Sequence, residues 1–562
     1  MKKYKYILLT FLASAFLLAG CDFLDNDPQG MMGEDDVKTP DKAEGLVNAA
    51  YASLGNDNMN TPFSLWYLGN VRAGDAYKGG AGASDGSEIH FYELGINIRT
   101  NFYHADGLWA QCYDGISRAN IALESLKAIS ETEMAARDTR MGEMYFIRGH
   151  YYFILKTVFG RIPFVDEDTP LDDYINIPNT LPNDEQWTWI VSDFKKAYDL
   201  LPDKQDMAGR ATRIAAASYL SKAYLYKAYR QDTEGSNAVT GIDINDLEKV
   251  VTYSEVVLNS NKELEYDFGY NFLPGSYENG AESVFAVQYS KDDGTMFGRL
   301  NFGDVLSVPQ GVGCCDFHKP SQNLVNAFRT ENGLPRFDDY NNQNYNSSSD
   351  SSDPRLFHTV AIPEFPYKYN ESLIYKENWN RNIPFYGVYA SLKENVDPSC
   401  DCFVNMSPFY GNTKNRIVIR FADVVLMRAE ALIELGRQSE ALPLINQIRE
   451  RAQRSTTLIS YAPNLDVALY QPGVNCSWTQ DFAREALRWE RRLEFAMEGS
   501  RFFDLVRWGI ADQVVNSYYQ QESARRSYLT DGNFTKNKNE YVPIPEKQIS
   551  YVNGIYKQNP GY

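Results

Sequence analysis

The chain has 562 residues, 43% of them hydrophobic, enough for a large packed core. Its formal charge of −19 argues against nucleic acid as a partner and suits a neutral ligand better than an anionic one. Aromatics are abundant, with 39 Tyr, 30 Phe and 8 Trp, and such side chains serve either a Tyr-rich helical core or a half-wet binding surface.

In chain order, Lys2, Lys3 and Lys5 precede an apolar run from Ile7 to Gly20. The run is shorter than the roughly 20 residues a membrane span needs and reads as a secretory signal. It ends Leu18-Ala19-Gly20-Cys21, which looks like a bacterial lipobox: small residues before the cut, then a thiol to take diacylglycerol. Acyl chains on Cys21 would anchor the protein without a spanning helix. Residues 1–20 are therefore expected as a signal peptide, 21–40 as an acidic tether carrying Asp22, Asp25 and Asp27, and 41–562 as a single domain.

Asp41–Leu54 reads as a first helix, with Thr39 as cap and Pro40 at its first position. Asp57–Asp85 reads as loop, ending in the glycine-rich KGGAGASDGS. Helical periodicity then returns over Asp106–Ile129, Glu131–Phe159, Asp184–Leu201, Arg210–Arg230 and Asp243–Asn259, and later over Arg416–Leu435 and Ser439–Arg454. Small and aromatic residues recur, as at Ala217, Leu220, Ala223, Tyr224 and Ala228. This resembles tetratricopeptide pairing, whose repeat is about 34 residues. The fold class expected is mostly α, a tetratricopeptide-like helix-pair scaffold.

Between about 264 and 416 the helical period fails. Gly, Pro, Asn, Asp and Tyr dominate, and short alternating runs such as Ser283–Tyr289 look like strands. Long loops on a rigid scaffold are where binding usually resides, so this insertion and the Asp57–Asp85 loop are expected to form one surface.

The five histidines are scattered, and no HExxH, GxxxxGK[ST] or EF-hand loop occurs. No cofactor and no metal are expected. Cys314 and Cys315 are adjacent, and Cys400 and Cys402 nearly so. Each pair reads equally as a disulfide or as buried free thiols; a four-Cys zinc site is disfavoured by spacings too short for the usual knuckles.

The stretch Asp481–Gly509 carries apolar residues at Phe482, Ala486, Trp489, Leu493 and Ala496, one face of a helix. Its charges are expected on a salt-bridged outer face, Glu485 reaching Arg488 and Arg491 reaching Glu494. Gly499 and Ser500 would let another backbone approach or the helix bend. EALRWERRLEFAMEGSRFFDLVRWG also resembles the C-terminal signature of the SusD/RagB family of outer-membrane glycan-binding lipoproteins. The terminal YVPIPEKQISYVNGIYKQNPGY resembles the same family's last segment. Met497 and Ser500 depart from that pattern.

The resemblance implies a mostly helical fold, no catalysis, and capture of glycans for a TonB-dependent outer-membrane transporter. A sugar site needs a flat apolar platform and forked polar groups. Trp66 and a Cys314–Cys315 ring are platform candidates, and Asp57, Asn58, Asp75 and Asp85 can bond hydroxyls. Trp379, Arg381, Tyr386 and Tyr410 in the insertion offer both kinds of contact. The adjacent cysteines resemble fructan-binding members, so levan or inulin is the narrow expectation. The rival classes are a glycoside hydrolase, whose carboxylate pair cannot be picked from so many acids, and a helical-repeat protein adaptor.

Overall fold

The computed structural model describes residues 38–233, 235–294 and 299–562. The signal peptide, the lipidation candidate Cys21 and nearly all of the tether lie outside the described residues.

The scaffold is a stack of antiparallel helices: α1 (Pro40–Ser53), α2 (Tyr103–Lys127), α3 (Arg137–Phe159), α4 (Asn183–Leu200), α5 (Arg213–Ala228) and α6 (Ile244–Leu258). Each packs on the next. Thr212 and Asp243 cap α5 and α6 by accepting the N–H groups of Ala215 and Asp246. The stack resumes beyond the insertion with α7 (Phe421–Glu434) against α6, then α8 (Gln438–Arg454) and α9 (Gln480–Glu494). One apolar cluster runs through the helices and into the insertion. A lone helix pair buries only one face, and its neighbours complete the core. Among the described residues no helix is long and apolar enough to cross a membrane.

Among the described residues the insertion holds short β pieces and short helices such as Gln322–Ala327 and Arg355–Thr359. β1 (Ala76–Gly79), from the first loop, pairs antiparallel with β3 (Phe317–Pro320). β2 (Ser283–Val287) pairs with β6 (Arg416–Arg420), and β4 (Phe403–Met406) with β5 (Phe409–Asn412) forms a hairpin. The helix expected from Arg416 thus starts only at Phe421. Arg416–Arg420 carries three β-branched residues between its arginines, and pairing with β2 decides it as strand. The stretch expected to be pure loop, 57–85, includes β1 and a π turn over Tyr67–Val71.

The largest correction concerns the C-terminal stretch. It breaks after α9 and resumes as α10 (Arg501–Arg507). Gly499 does admit another backbone: a Cβ there would lie 2.1 Å from the Ser64 carbonyl oxygen, and one on Gly69 would lie 1.8 Å from that of Gly499. The charges, however, do not face water. Glu490, Arg491, Arg492 and Glu494 are all buried, whereas Phe482 and Trp489 are half-exposed. Glu494 meets Arg355 (2.9 Å), Arg420 and Arg451; Glu490 meets Arg355 (2.6 Å) and Arg449 (3.1 Å). Glu282 joins them through Arg420 (2.7 Å) and Arg451 (2.8 Å). Arg491 turns to Asp423 and Asp504, not to Glu494. Periodicity counts apolar residues, so it cannot see a charged face whose partners arrive from elsewhere in the chain.

Burial alone would raise the Glu494 carboxyl, but Arg451, Arg420 and Arg355 hold it well below the usual carboxylate range. Replacing Glu494 with Gln strands buried guanidiniums without a countercharge. The expected loss is about 3–5 kcal/mol of unfolding free energy, read from urea denaturation.

Candidate glycan-binding site

The glycine-rich end of the first loop is fixed from inside. The Lys78 ammonium donates to the carbonyls of Gly79 (2.8 Å), Gly82 (3.0 Å) and Asp85. Burial lowers its pKa to about 8, against the pull of Glu93 and Asp85. Asp85 accepts from the Ala81 N–H at 2.9 Å and from Arg381 Nη1 at 3.1 Å. The same Nη1 donates to the Cys315 carbonyl at 3.2 Å, and the Arg381 N–H donates to Asp316 at 2.8 Å. Asn382 Nδ2 reaches the Ala81 carbonyl at 2.8 Å. Three segments distant in sequence are therefore tied to one another by oriented polar contacts.

Between Pro309 and Asp316 the chain turns tightly, its end held by the Asp316 N–H on the Val308 carbonyl at 2.9 Å. Here Gly311 lies against the Trp379 ring and Gly313 against Tyr410: a Cβ on either would sit 2.1 or 2.2 Å from ring carbons. Only a bare backbone fits that spacing. Cys314 and Cys315 form a disulfide directly beyond. Tyr410 also stacks on Phe403 across the hairpin, centroids 5.4 Å apart, and Trp379 packs on Tyr367 and Tyr375. The second disulfide, Cys400–Cys402, lies just before β4. With these four thiols oxidised, no thiolates remain for a zinc site, and among the described residues no cluster of metal-ligating side chains is found.

Of the predicted residues, the structure brings together Asp85, Cys314, Cys315, Trp379, Arg381 and Tyr410. Cys315 is buried, and the other five are half-buried or exposed. It sets the rest apart. Asp75 is buried and its carboxylate is taken by Arg492 at 2.8 and 2.9 Å. Tyr386 is fully buried, with Lys78 over its ring and Phe385 and Tyr528 beside it. As placed, neither can meet a sugar, which corrects the expectation for both. Trp66 is 2% exposed and packs on His318 and Phe317. It lines a partly open cavity of about 180 Å³ and is not an exposed platform. Asp57 is buried, accepting from the Phe63 N–H at 2.8 Å, and Asn58 beside it caps Asn60 at 2.9 Å. Both halves of the loop meet the insertion, Ser64 donating to Asp304 at 2.7 Å and Trp66 packing on Phe317, but only the second half reaches the disulfide turn. Phe403 and the two ring-packed glycines escaped sequence reasoning. The glycine spacing in Gly311-Val312-Gly313 was the available signal.

The sequence model of the SusD family matches residues 281–562, and a second, described as "starch-binding associating with outer membrane", matches residues 22–225. The chain belongs to the SusD family. Family membership places it among carbohydrate-binding proteins rather than enzymes, so the hydrolase alternative falls away. SusD-like protein P2 of Formosa agariphila is 24% identical over 571 residues, covering all of both chains. Among solved structures, a SusD homolog from Bacteroides thetaiotaomicron superimposes with a TM-score of 0.71 at 19% identity, over 94% of this chain and 99% of that one. A laminarin-binding SusD-like protein gives 0.60 at 20% identity, over 93% of this chain and all of the other. At such identities the superpositions establish the SusD fold, mostly helical as expected.

The interior position of Asp57 has a thermodynamic consequence. Burial raises its carboxyl to about 6, against the opposing pull of Arg416. A carboxyl raised on folding contributes stability that is complete below its unfolded pKa and is lost as pH rises through about 6. Asp57→Asn keeps an acceptor for Phe63 and never ionises. At pH 7.5 it is expected to exceed the parent by about 2–3 kcal/mol, with the gap closing by pH 4, in parallel denaturation curves.

Proposed function

We propose that this SusD-family protein captures oligo- or polysaccharide at the cell surface, anchored through lipid on Cys21, and delivers it to a TonB-dependent outer-membrane transporter. The observation that supports it best is the row formed by Trp379, the Gly311–Cys315 turn with its disulfide, and Tyr410. Its apolar faces suit the C–H face of a pyranose or furanose ring. The Asp85–Arg381 pair at its edge supplies an acceptor and a forked donor for hydroxyls. Tight hold by Lys78 and Asp316 preorganises the row, which reduces the entropy lost on binding. Levan or inulin is the narrow proposal for the ligand, on the adjacent cysteines. A neighbour of the same fold is a laminarin binder, so a β-glucan belongs in any test.

Calorimetry against levan, inulin, laminarin, starch and xylan decides the ligand. Trp379→Ala is expected to weaken binding by about 1–3 kcal/mol, the contribution of one apolar platform. Cys314→Ala with Cys315→Ala should weaken it comparably, without loss of the helical circular-dichroism signal. Unchanged affinity in both variants would remove this face as the site, and no heat with any glycan would remove the function.

The anchor is tested separately. Cys21→Ala is expected to leave the membrane fraction and to cease copurifying with an outer-membrane barrel. Retention in the membrane would refute the lipoprotein reading.

A further inference from the structure

Four of the six arginines of the C-terminal stretch are matched to carboxylates. Arg484 is held by Glu434 (2.7 Å) and Asp481 (2.7 Å), Arg491 by Asp423 and Asp504, Arg492 by Asp75, and Arg507 by Glu430 and Asp504. Arg488 and Arg501 break the rule. Among the described residues neither guanidinium forms an ion pair, and Arg488 Nε and Arg501 Nη1 are buried without a hydrogen-bond partner.

Both guanidiniums lie over one ring, that of Trp508, at 5.0 and 5.8 Å from its centroid. That contact stabilises a cation through its face, but the ring offers no acceptor to the N–H edges. The indole N–H is already spent on Glu430 at 2.8 Å. Both arginines also line one surface cavity of about 400 Å³, with Asp481, Arg484, Glu485 and Trp489. Asp481 is engaged by Arg484, and Glu485 is exposed at the rim. Partial removal from water without a directly bonded countercharge is costly. It lowers the Arg488 pKa against the pull of Glu430 and Glu434, and lowers that of Arg501 to about 10, with Arg492 adding repulsion and Asp75 and Asp504 opposing it. On a chain of charge −19, a recess walled by two unmatched guanidiniums is an electrostatic exception.

We propose that Arg488 and Arg501, gathered by Trp508, form a binding recess for a single oxyanion group, separate from the disulfide face. Guanidinium edges match the geometry of sulfate, phosphate or carboxylate oxygens, and an anion there would supply the missing acceptors. The group could arrive free in solution or as a sulfate ester or uronate carboxylate on a saccharide. This narrows the preference for neutral ligands read from net charge: that preference applies to the surface as a whole and not to this recess.

The test is calorimetry on the mature chain at low ionic strength. The probes are inorganic sulfate, inorganic phosphate, a sulfated disaccharide, a uronic acid-containing disaccharide, and a neutral disaccharide as control. Saturable binding of at least one anionic probe is expected, weakened at least tenfold in Arg488→Gln and in Arg501→Gln, and unchanged in Trp379→Ala. Tighter binding of either anionic disaccharide than of both inorganic anions assigns the site to a glycan substituent; otherwise it belongs to the free anion. Absence of saturable heat with every anionic probe in the parent overturns the proposal whatever the variants do. So does equal affinity in the double variant Arg488→Gln/Arg501→Gln, or loss of anion binding in a folded Trp379→Ala. Because Trp379 governs the glycan face and not this recess, failure of one reading leaves the other standing.

Discussion

The structure depends on a buried knot of charge. Four guanidiniums, from Arg355, Arg420, Arg449 and Arg451, enclose three carboxylates, from Glu282, Glu490 and Glu494. The members come from α8, α9 and three separate points of the insertion. Each ion is expensive to dehydrate alone, and the expense is offset only when the partners are all in place. The loop-rich insertion is therefore not draped over the helices; its docking is close to all-or-none. Arg492–Asp75 and the Gly69–Gly499 backbone contact extend the same join to the first loop. That join sets β1 against β3 and, beyond it, Asp85 against Arg381.

The helices were legible because their information is local. Periodicity and small-residue recurrence located most elements of α1 through α8 to within a turn or so, the late starts of α3 and α7 being the exceptions, although the expected cap Thr39 makes no side-chain capping bond. The C-terminal signature was legible as a family mark and misleading as chemistry. Its arginines and glutamates look like a solvated face because their partners, at 75, 355, 420 and 423, lie far away in sequence. The site was half legible for the same reason. Residue type nominated Trp66 and Trp379 equally, and only the packing of Phe317 and His318 on Trp66 shows which indole is interior. Asp75 and Asp85 were likewise alike until Arg492 claimed one and Arg381 the other.

The two proposed sites differ in what their surroundings leave over. At the disulfide turn, aromatic faces are left beside the Asp85–Arg381 pair, which is what the proposed glycan site rests on. At Trp508, the aromatic face is used and N–H edges are left over, which is what the proposed anion site rests on. Net charge describes neither, because each is set within a few ångströms.

Leu258 and Phe421 end and begin helices that pack on each other, so the insertion leaves the scaffold and returns to it at neighbouring points. Closing a longer or shorter excursion between fixed, adjacent ends changes the chain entropy only with the logarithm of its length. The scaffold is consequently indifferent to much of what the excursion contains, provided the arginines and the glutamate of the charged knot are retained. A chain built this way can have that one segment rewritten while the helices that carry it stay unaltered.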